Sequence, residues 1–355
     1  MNRSPKEIVF VHPSLLGGGA ERVAIALASY FVSKGYRFTF LLTKSKEISY
    51  SIPSGVEVVD NFADPSLEPL QQIRHIRRIM KANPRATFIS FLPHQNMYTL
   101  LAAMHLPNKV VVSVRNDPRF DFPNSFMLSN VRNLLYRSAS SIVFQTKVQK
   151  QLFPRHLQDK GKIILNPISN SVPKPFTGIR RKVIVTAGRL EEQKNHSMTV
   201  RSFAQFHKTH PDFVLEIFGE GSQEPELRQL VGDLGVTDFV YFMGFSSDVL
   251  DHMRTATAFV MSSRFEGLSN SMIEALCMGV PTVCTRSLGG GAEAVIRDGA
   301  NGVLVDVDDI VAEARALCAL ADDVGFAHRI SLQAARLRNE LSLEVIGEAW
   351  ERVIA

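Results

Sequence analysis

The chain is poor in cysteine and has no long apolar run, and each shortage removes a class of protein. Its three thiols, Cys277, Cys284 and Cys318, have the spacing of neither a disulfide framework nor a zinc site. They are expected to be buried thiols in a reducing cytoplasm. No stretch approaches the roughly 18 apolar residues of a membrane span. No basic–apolar–small leader opens the chain, since Met1 to Lys6 is polar and Ile8 to Val11 is only strand length. Two phosphate-binding signatures are also missing. In "HPSLLGGGAERVA", Arg22 stands where a dinucleotide fingerprint needs its last glycine, and no Gly-Lys-Ser/Thr follows to make a P-loop. A dinucleotide oxidoreductase is therefore disfavoured.

What is present suits a globular protein, with 45% hydrophobic and 21% charged residues in a 355-residue chain. That length fits two domains of about 150 residues. The net charge of +5 is unevenly spread: residues 1–170 carry 22 Lys and Arg against 10 Asp and Glu, and the remainder 18 against 25. The balances of +12 and −7 point to different partners for the two halves. A basic half suits a polyanion, an anionic membrane surface or a phosphorylated acceptor; a chance distribution of surface cations is the plainer account. No binding module and no aromatic–basic interleaving supports nucleic acid.

Short β-branched runs alternate with helical patterns, which predicts parallel sheets built of βαβ units. In the first half the strands read Glu7–His12, Arg37–Thr43, Ala86–Phe91, Lys109–Arg115 and Ser141–Gln145, with a helix over Ala20–Lys34. A second series reads Lys182–Ala187, Phe213–Phe218, Val240–Met243, Ala258–Ser262 and Val280–Thr285. Between them "NPISNSVPKPFTG" has the composition of a linker. The expected domains are 1–170 and 171–340, with a helix over 341–355 packing back on the first. Two doubly wound α/β domains would face each other across a cleft and bind ligands at the carboxyl ends of their strands.

Three loops carry the chemistry. Gly17, Gly18 and Gly19 follow a strand and open a helix, where bare backbone and helix amides suit an anion; a plain tight turn explains them equally well. "TAGRLEEQKN" at 186–195 places Arg189 and Lys194 at one strand's carboxyl end, able to neutralise a diphosphate leaving group without a metal. "SSRFEGLSNSMIEALCMGVPTV" at 262–283 places Glu266 in a loop, leads through Gly267, Leu268 and Ser269 into a helix, and sets Glu274 about one turn inside it. Helix-start amides bind phosphate, and the two carboxylates can accept from sugar or ribose hydroxyls. Read blandly, Glu266 only caps and Glu274 only faces solvent, although Ile273, Ala275 and Leu276 flank Glu274.

Taken together, "EGLSNSMIEALCMGVPTV", "GRLEEQKN", "GGGAERV" and "NGVLVDVDD" resemble the retaining GT-B glycosyltransferases of family four, over nearly the whole chain. The resemblance implies two Rossmann-like domains and hexosyl transfer from a nucleotide-diphosphate sugar. Glu266 would hold the donor sugar, Glu274 the ribose, and Arg189, Lys194 and the amides of Leu268 and Ser269 the diphosphate. Gly18 and Gly19 would close over it, and backbone near Gly244 in "YFMGF" would read the base. His94 of "SFLPHQN" would stand near the reacting sugar, about one residue out of the family's register. "SVRNDPR", with Arg115, resembles bacterial enzymes that extend lipid-linked glycans. UDP-hexose or UDP-N-acetylhexosamine is the expected donor and a polyprenyl-diphosphate-linked glycan the expected acceptor. Neither cofactor nor metal is expected, and Asp306 and Asp308 are set aside as an Asp-x-Asp decoy. A sugar-nucleotide epimerase or a non-catalytic sugar-nucleotide-binding protein are the alternatives.

One stretch points to the membrane. "EPLQQIRHIRRIMKANPR" spaces Leu70, Ile73, Ile76, Ile79 and Met80 helically and leaves Arg74, Arg77, Arg78 and Lys81 largely on the other arc. Arg74, Arg78, Lys81 and Arg115 are the expected acceptor or membrane contacts, with Phe120, Phe122, Phe126 and Arg119 as a second patch. A cytoplasmic enzyme, peripheral at the inner face of the cell membrane, is expected; an ordinary core-packing helix is the other reading.

Overall fold

The computed structural model describes residues 6–45, 47–59, 68–123 and 125–355. The chain divides into two compact units, one of Met1–Pro167 with Ser342–Ala355 and one of Ile168–Leu341.

The first unit is a seven-stranded sheet of β1 (Glu7–His12), β2 (Arg37–Leu42), β3 (Val56–Val59), β4 (Thr87–Phe91), β5 (Val110–Ser113), β6 (Ser141–Phe144) and β7 (Gly161–Ile163). Their order is β3-β2-β1-β4-β5-β6-β7 and every pairing is parallel. Runs such as "EIVFVH" and "RFTFLL" are apolar on both faces because helices cover both sides of such a sheet. These include α1 (Gly19–Ser33), α2 (Pro69–Ala82), α3 (Pro93–Ala103) and α4 (Phe126–Tyr136). The closing helix Leu343–Ile354 also belongs here. Its Trp350 is wholly buried with its ring 5.7 Å from that of Phe91, and Glu351 accepts a 2.7 Å bond from the Tyr36 hydroxyl.

The second unit repeats the plan with β8 (Arg181–Ala187), β9 (Val214–Phe218), β10 (Val240–Gly244), β11 (Ala256–Met261), β12 (Thr282–Thr285) and β13 (Val303–Val305), in the order β10-β9-β8-β11-β12-β13, again all parallel. Each sheet therefore reverses its strand order once, between β1 and β4 and between β8 and β11. At such a switch point the connecting loops diverge and leave a crevice at the strands' carboxyl ends. The glycine loop follows β1 and His94 follows β4; the Arg189–Lys194 loop follows β8 and Glu266 follows β11.

Several expectations are corrected by burial. The apolar side of α2 is spent on the core except at its first turn, with Ile76 and Met80 fully enclosed, Ile73 and Ile79 packed against them, and Leu70 66% exposed. Arg77 is not a surface cation, because its Nη1 donates to the carbonyls of Ala102 and Met104 and so caps the end of α3. Arg74, Arg78 and Lys81 are exposed. Arg115 is not available to a membrane surface. Its guanidinium stacks 3.5 Å over the Phe91 ring, Nη1 donates to Asn166, and burial alone pulls its pKa down to about 9. Phe122 is buried against His94 rather than presented outward, and Cys318, unlike Cys277 and Cys284, is only partly covered.

The closing helix can approach α1 only because residue 347 has no side chain: a Cβ on Gly347 would lie 2.5 Å from carbons of the Tyr30 ring. Gly347→Ala is expected to destabilise the first unit by about 1–3 kcal/mol. Denaturant unfolding followed by near-ultraviolet dichroism checks this.

Candidate active site

In the second unit the chain leaves β8 through Gly188, and three glycines let neighbouring strand ends touch. Gly219, at φ +130°, donates to the Gly244 carbonyl at 2.8 Å, and a Cβ on it would lie 2.0 Å from the Gly188 carbonyl oxygen. Gly244 itself sits at φ +63°, where a side chain is strained. The backbone expected to read a base is thus held against the loop that carries Arg189.

That loop makes a 3-10 turn over Glu192–Lys194, passes through Asn195 in the left-handed region, and enters the helix His196–His207. Lys194 forms an ion pair with Glu266, and both side chains are 14% exposed. Two further bonds join the same loops: Gln193 Nε2 donates to the Phe265 carbonyl at 2.9 Å, and the Arg264 amide donates to the Gln193 carbonyl at 2.9 Å. Arg189 is exposed, and its carbonyl lies 3.2 Å from Nε2 of His196, whose pKa burial lowers to about 4. His196 is consequently neutral at pH 7.

The helix Asn270–Cys277 starts beside this pair. Ser271 Oγ donates to the Ala187 carbonyl at 3.2 Å, fixing the helix start to the end of β8. Ser269, its N-cap, makes no side-chain capping bond. Leu268 and Ser269 are buried, and Glu274 is 5% exposed, so it is no ordinary solvent-facing helix residue. Opposite Gly267 runs Leu288-Gly289-Gly290-Gly291. Its Leu288 exchanges backbone bonds with Arg264 and Glu266, and a Cβ on Gly291 would sit 1.6 Å from the Gly267 carbonyl oxygen. This second glycine run went unnoticed in the sequence, although three consecutive glycines shortly after the strand Thr282–Thr285 are the signal for it.

Side chains distant in sequence hold the two loops. Asp308 accepts from Asn195 Nδ2 at 3.1 Å and pairs with Arg264 at 2.5 Å. Half of the Asp-x-Asp decoy is thus engaged in anchoring the loop of Lys194 to the loop of Glu266. Deeper, Glu313 of the helix Ile310–Asp322 accepts from Ser202 Oγ at 2.5 Å and Ser262 Oγ at 2.6 Å, and Ser262 also meets Thr199 at 2.7 Å. All four are buried, and burial raises the Glu313 pKa to about 7 against the two serine bonds that lower it.

In the first unit the Ser14 carbonyl lies 2.6 Å from Nδ1 of His12, which fixes a protonated Nδ1 and anchors the start of the glycine loop. Gly17 has φ +89°, Gly18 is the N-cap of α1, and Gly19 is its first residue. A Cβ on Gly18 would meet the Glu21 carboxylate at 2.1 Å, so a bare position lets Glu21 fold back over the helix start. His94 is the second residue of α3, exposed, with its ring edge-on to Phe122 at 5.0 Å. Partial burial and then Lys44 lower its pKa, favouring a neutral imidazole. The preceding Leu92 takes φ +72°, a costly conformation for a branched side chain, at the turn that aims His94. Arg115, stacked on Phe91, backs that turn.

Residues 181–323 match the family model described as Glycosyl transferases group 1. A Campylobacter jejuni enzyme named GalNAc-alpha-(1->4)-GalNAc-alpha-(1->3)-diNAcBac-PP-undecaprenol alpha-1,4-N-acetyl-D-galactosaminyltransferase is 24% identical over 98% of both chains. A second from that organism, N-acetylgalactosamine-N,N'-diacetylbacillosaminyl-diphospho-undecaprenol 4-alpha-N-acetylgalactosaminyltransferase, is 29% identical over 85% of this chain and 86% of its own. Among solved structures, Anabaena HepE in complex with UDP-glucose superposes with a TM-score of 0.82 at 19% identity, covering 98% of both chains. The fold is GT-B, and the protein is a glycosyltransferase. The match to the glycosyl transferases of group 1 lies within the second unit, and the chain is similar to the two Campylobacter enzymes over most of its length.

A proton held by folded Glu313 up to about pH 7, against an ordinary value of 4.5, makes the folded state bind more protons than the unfolded one between those values. Stability therefore falls as pH rises from about 4.5 to 7 and levels off above. Glu313→Gln should remove a slope on the order of 3 kcal/mol across that window. Urea unfolding at pH 5 and pH 8 compares them; the wild type should lose more stability at the higher pH than the variant does.

Proposed function

We propose that the protein is a retaining, metal-independent transferase that moves a hexosyl or N-acetylhexosaminyl group from a UDP-sugar to a polyprenyl-diphosphate-linked glycan acceptor. The observation that carries this reading is the Lys194–Glu266 pair beside a helix start that is tied to the end of β8 and whose N-cap Ser269 makes no side-chain capping bond. A diphosphate arriving there would draw Lys194 off Glu266 and take amides from Leu268 and Ser269, with Arg189 as a second cation. Glu266, released, would accept from hydroxyls of the donor sugar. Glu274 would accept from the ribose, and backbone at Gly244 would meet the base.

The barrier in such a transfer is separation of charge between an oxocarbenium-like sugar and a departing diphosphate. Fixed cations and amides stabilise the leaving group without reorganisation, which suits attack on the same face and retention of configuration. Neutral His94 has the chemistry to accept a hydrogen bond from a sugar hydroxyl. The metal-independent reading is supported by Asp308, whose carboxylate is already engaged by Arg264 and Asn195. Relatives named for undecaprenol-linked substrates and a fold neighbour solved with UDP-glucose support the choice of acceptor and donor. Among the described residues no helix is long and apolar enough to cross a membrane. Exposed Arg74, Arg78 and Lys81 fit electrostatic attachment to an anionic leaflet, each worth about 1 kcal/mol near the surface.

Arg189→Ala and Lys194→Ala should each lower transfer about 10²–10³-fold in folded protein. Activity should survive EDTA, and Asp306→Ala should be mild. Incubation with UDP-, GDP- and ADP-sugars without acceptor should show slow hydrolysis of the UDP-sugar alone. Epimerised donor would instead establish the epimerase reading, and wild-type rates in both alanine variants would remove the phosphate clamp.

A further inference from the structure

Most helices of the first unit turn their apolar side inward; α4 turns much of its apolar side outward. Phe126 is 82% exposed, Met127 71%, Leu134 62% and Val131 38%. At 100° per residue these four fall within about 140° of arc, which also holds exposed Asn130 and Arg137. The side facing the protein is held largely by polar anchors. Buried Arg132 donates to Asp121 and to the Pro118 carbonyl, and stands 4.6 Å over the Phe153 ring. Tyr136 OH accepts from Asn96 at 2.8 Å, and Ser125 caps the helix start. The helix is thus rigidly seated with its greasy face out, an arrangement that calls for a covering partner.

Charge around the face selects that partner. Residues 115–163 contain nine Lys and Arg and three Asp. Two of the acids are neutralised internally, Asp117 by Arg119 and Asp121 by Arg132. Asp159 is thereby the one exposed acid of the segment among the described residues, against exposed Arg137, Lys147, Arg155, Lys160 and Lys162. Lys160 donates to the carbonyl of Arg137, which brings Lys160 beside Arg137 at the end of α4. A second copy docked through this face would set one basic segment against another. An anionic bilayer supplies both complements, acyl chains for the four side chains and phosphate for the rim.

We propose that the exposed face of α4 is the membrane-inserting surface of the protein, seated in the headgroup–acyl boundary of an anionic leaflet. This rests on the peripheral attachment proposed above and moves its apolar contact from α2, whose apolar side beyond the first turn is spent on the core, to Phe126, Met127, Val131 and Leu134. The cations of α2 then add attraction at a distance.

Trp350 is the single tryptophan and is wholly buried, so Phe126→Trp places a lone reporter on the face. With phosphatidylcholine vesicles containing phosphatidylglycerol, its emission should shift to the blue and be quenched by acyl-chain bromine. Vesicles of phosphatidylcholine alone should leave it unchanged. Met127→Ser with Leu134→Ser should reduce cosedimentation with the anionic vesicles about tenfold or more. Neither measurement needs donor or acceptor, so the outcome stands apart from whether sugar transfer is correctly assigned. A reporter unmoved by anionic vesicles, a double variant that sediments like wild type, or a blue shift that follows protein concentration without lipid would each overturn the proposal, the last in favour of a second copy as the occupant.

Discussion

The ion pair between Lys194 and Glu266 is the contact on which the site depends. Each residue belongs to a loop leaving a different strand of the second sheet, and the two strands meet at that sheet's reversal of order. Two partly covered charges of opposite sign satisfy each other, so neither has to be stabilised by water or by a permanent third group. In the proposed mechanism the same pair meets a nucleotide sugar, which carries an anion and a set of hydroxyls on adjacent atoms. The account of function follows from exchanging one internal contact for two external ones.

The pair is useful only if its loops cannot drift, and the surrounding structure restrains them from three directions. Glycines 188, 219 and 244 bring strand ends into backbone contact on one side, and Gly291 presses on Gly267 on the other. Asp308 links the loops from outside, while Glu313 links the elements beneath them through Ser202 and Ser262. A buried acid that keeps its proton to about neutrality avoids the cost of an isolated interior charge. Removing any one of these restraints should loosen the geometry without touching substrate.

The fold class was legible because a parallel sheet covered on both faces writes itself as apolar runs separated by helical patterns. Strand ends were read slightly long where the apolar pattern outlasts the ladder, as at Lys109–Arg115, of which only Val110–Ser113 pairs. Three strands escaped notice. "VEVV", "GKI" and "VLV" are edge strands of three or four residues, too short for a period to emerge, and Glu57 looks out of place until Arg37 is seen 3.6 Å away. The residues that touch ligands in the proposed mechanism could be named from motifs. Those that position them could not, since Asp308 and Glu313 act on partners from 44 to 113 residues away. Orientation was equally hidden: periodicity gave α2 an apolar side without revealing that it faces the core, and nothing in "SVRNDPR" shows Arg115 lying flat on Phe91.

The central claim is that Glu266 restrains Lys194 until a diphosphate takes its place. Titration calorimetry of UDP, which has a diphosphate but no sugar, into wild type and Glu266→Gln tests it most directly. The carboxamide is nearly the same shape but cannot neutralise Lys194. The account predicts that the variant binds UDP more tightly than wild type while its transfer of sugar collapses. Weaker UDP binding in Glu266→Gln, or transfer at the wild-type rate, would contradict it.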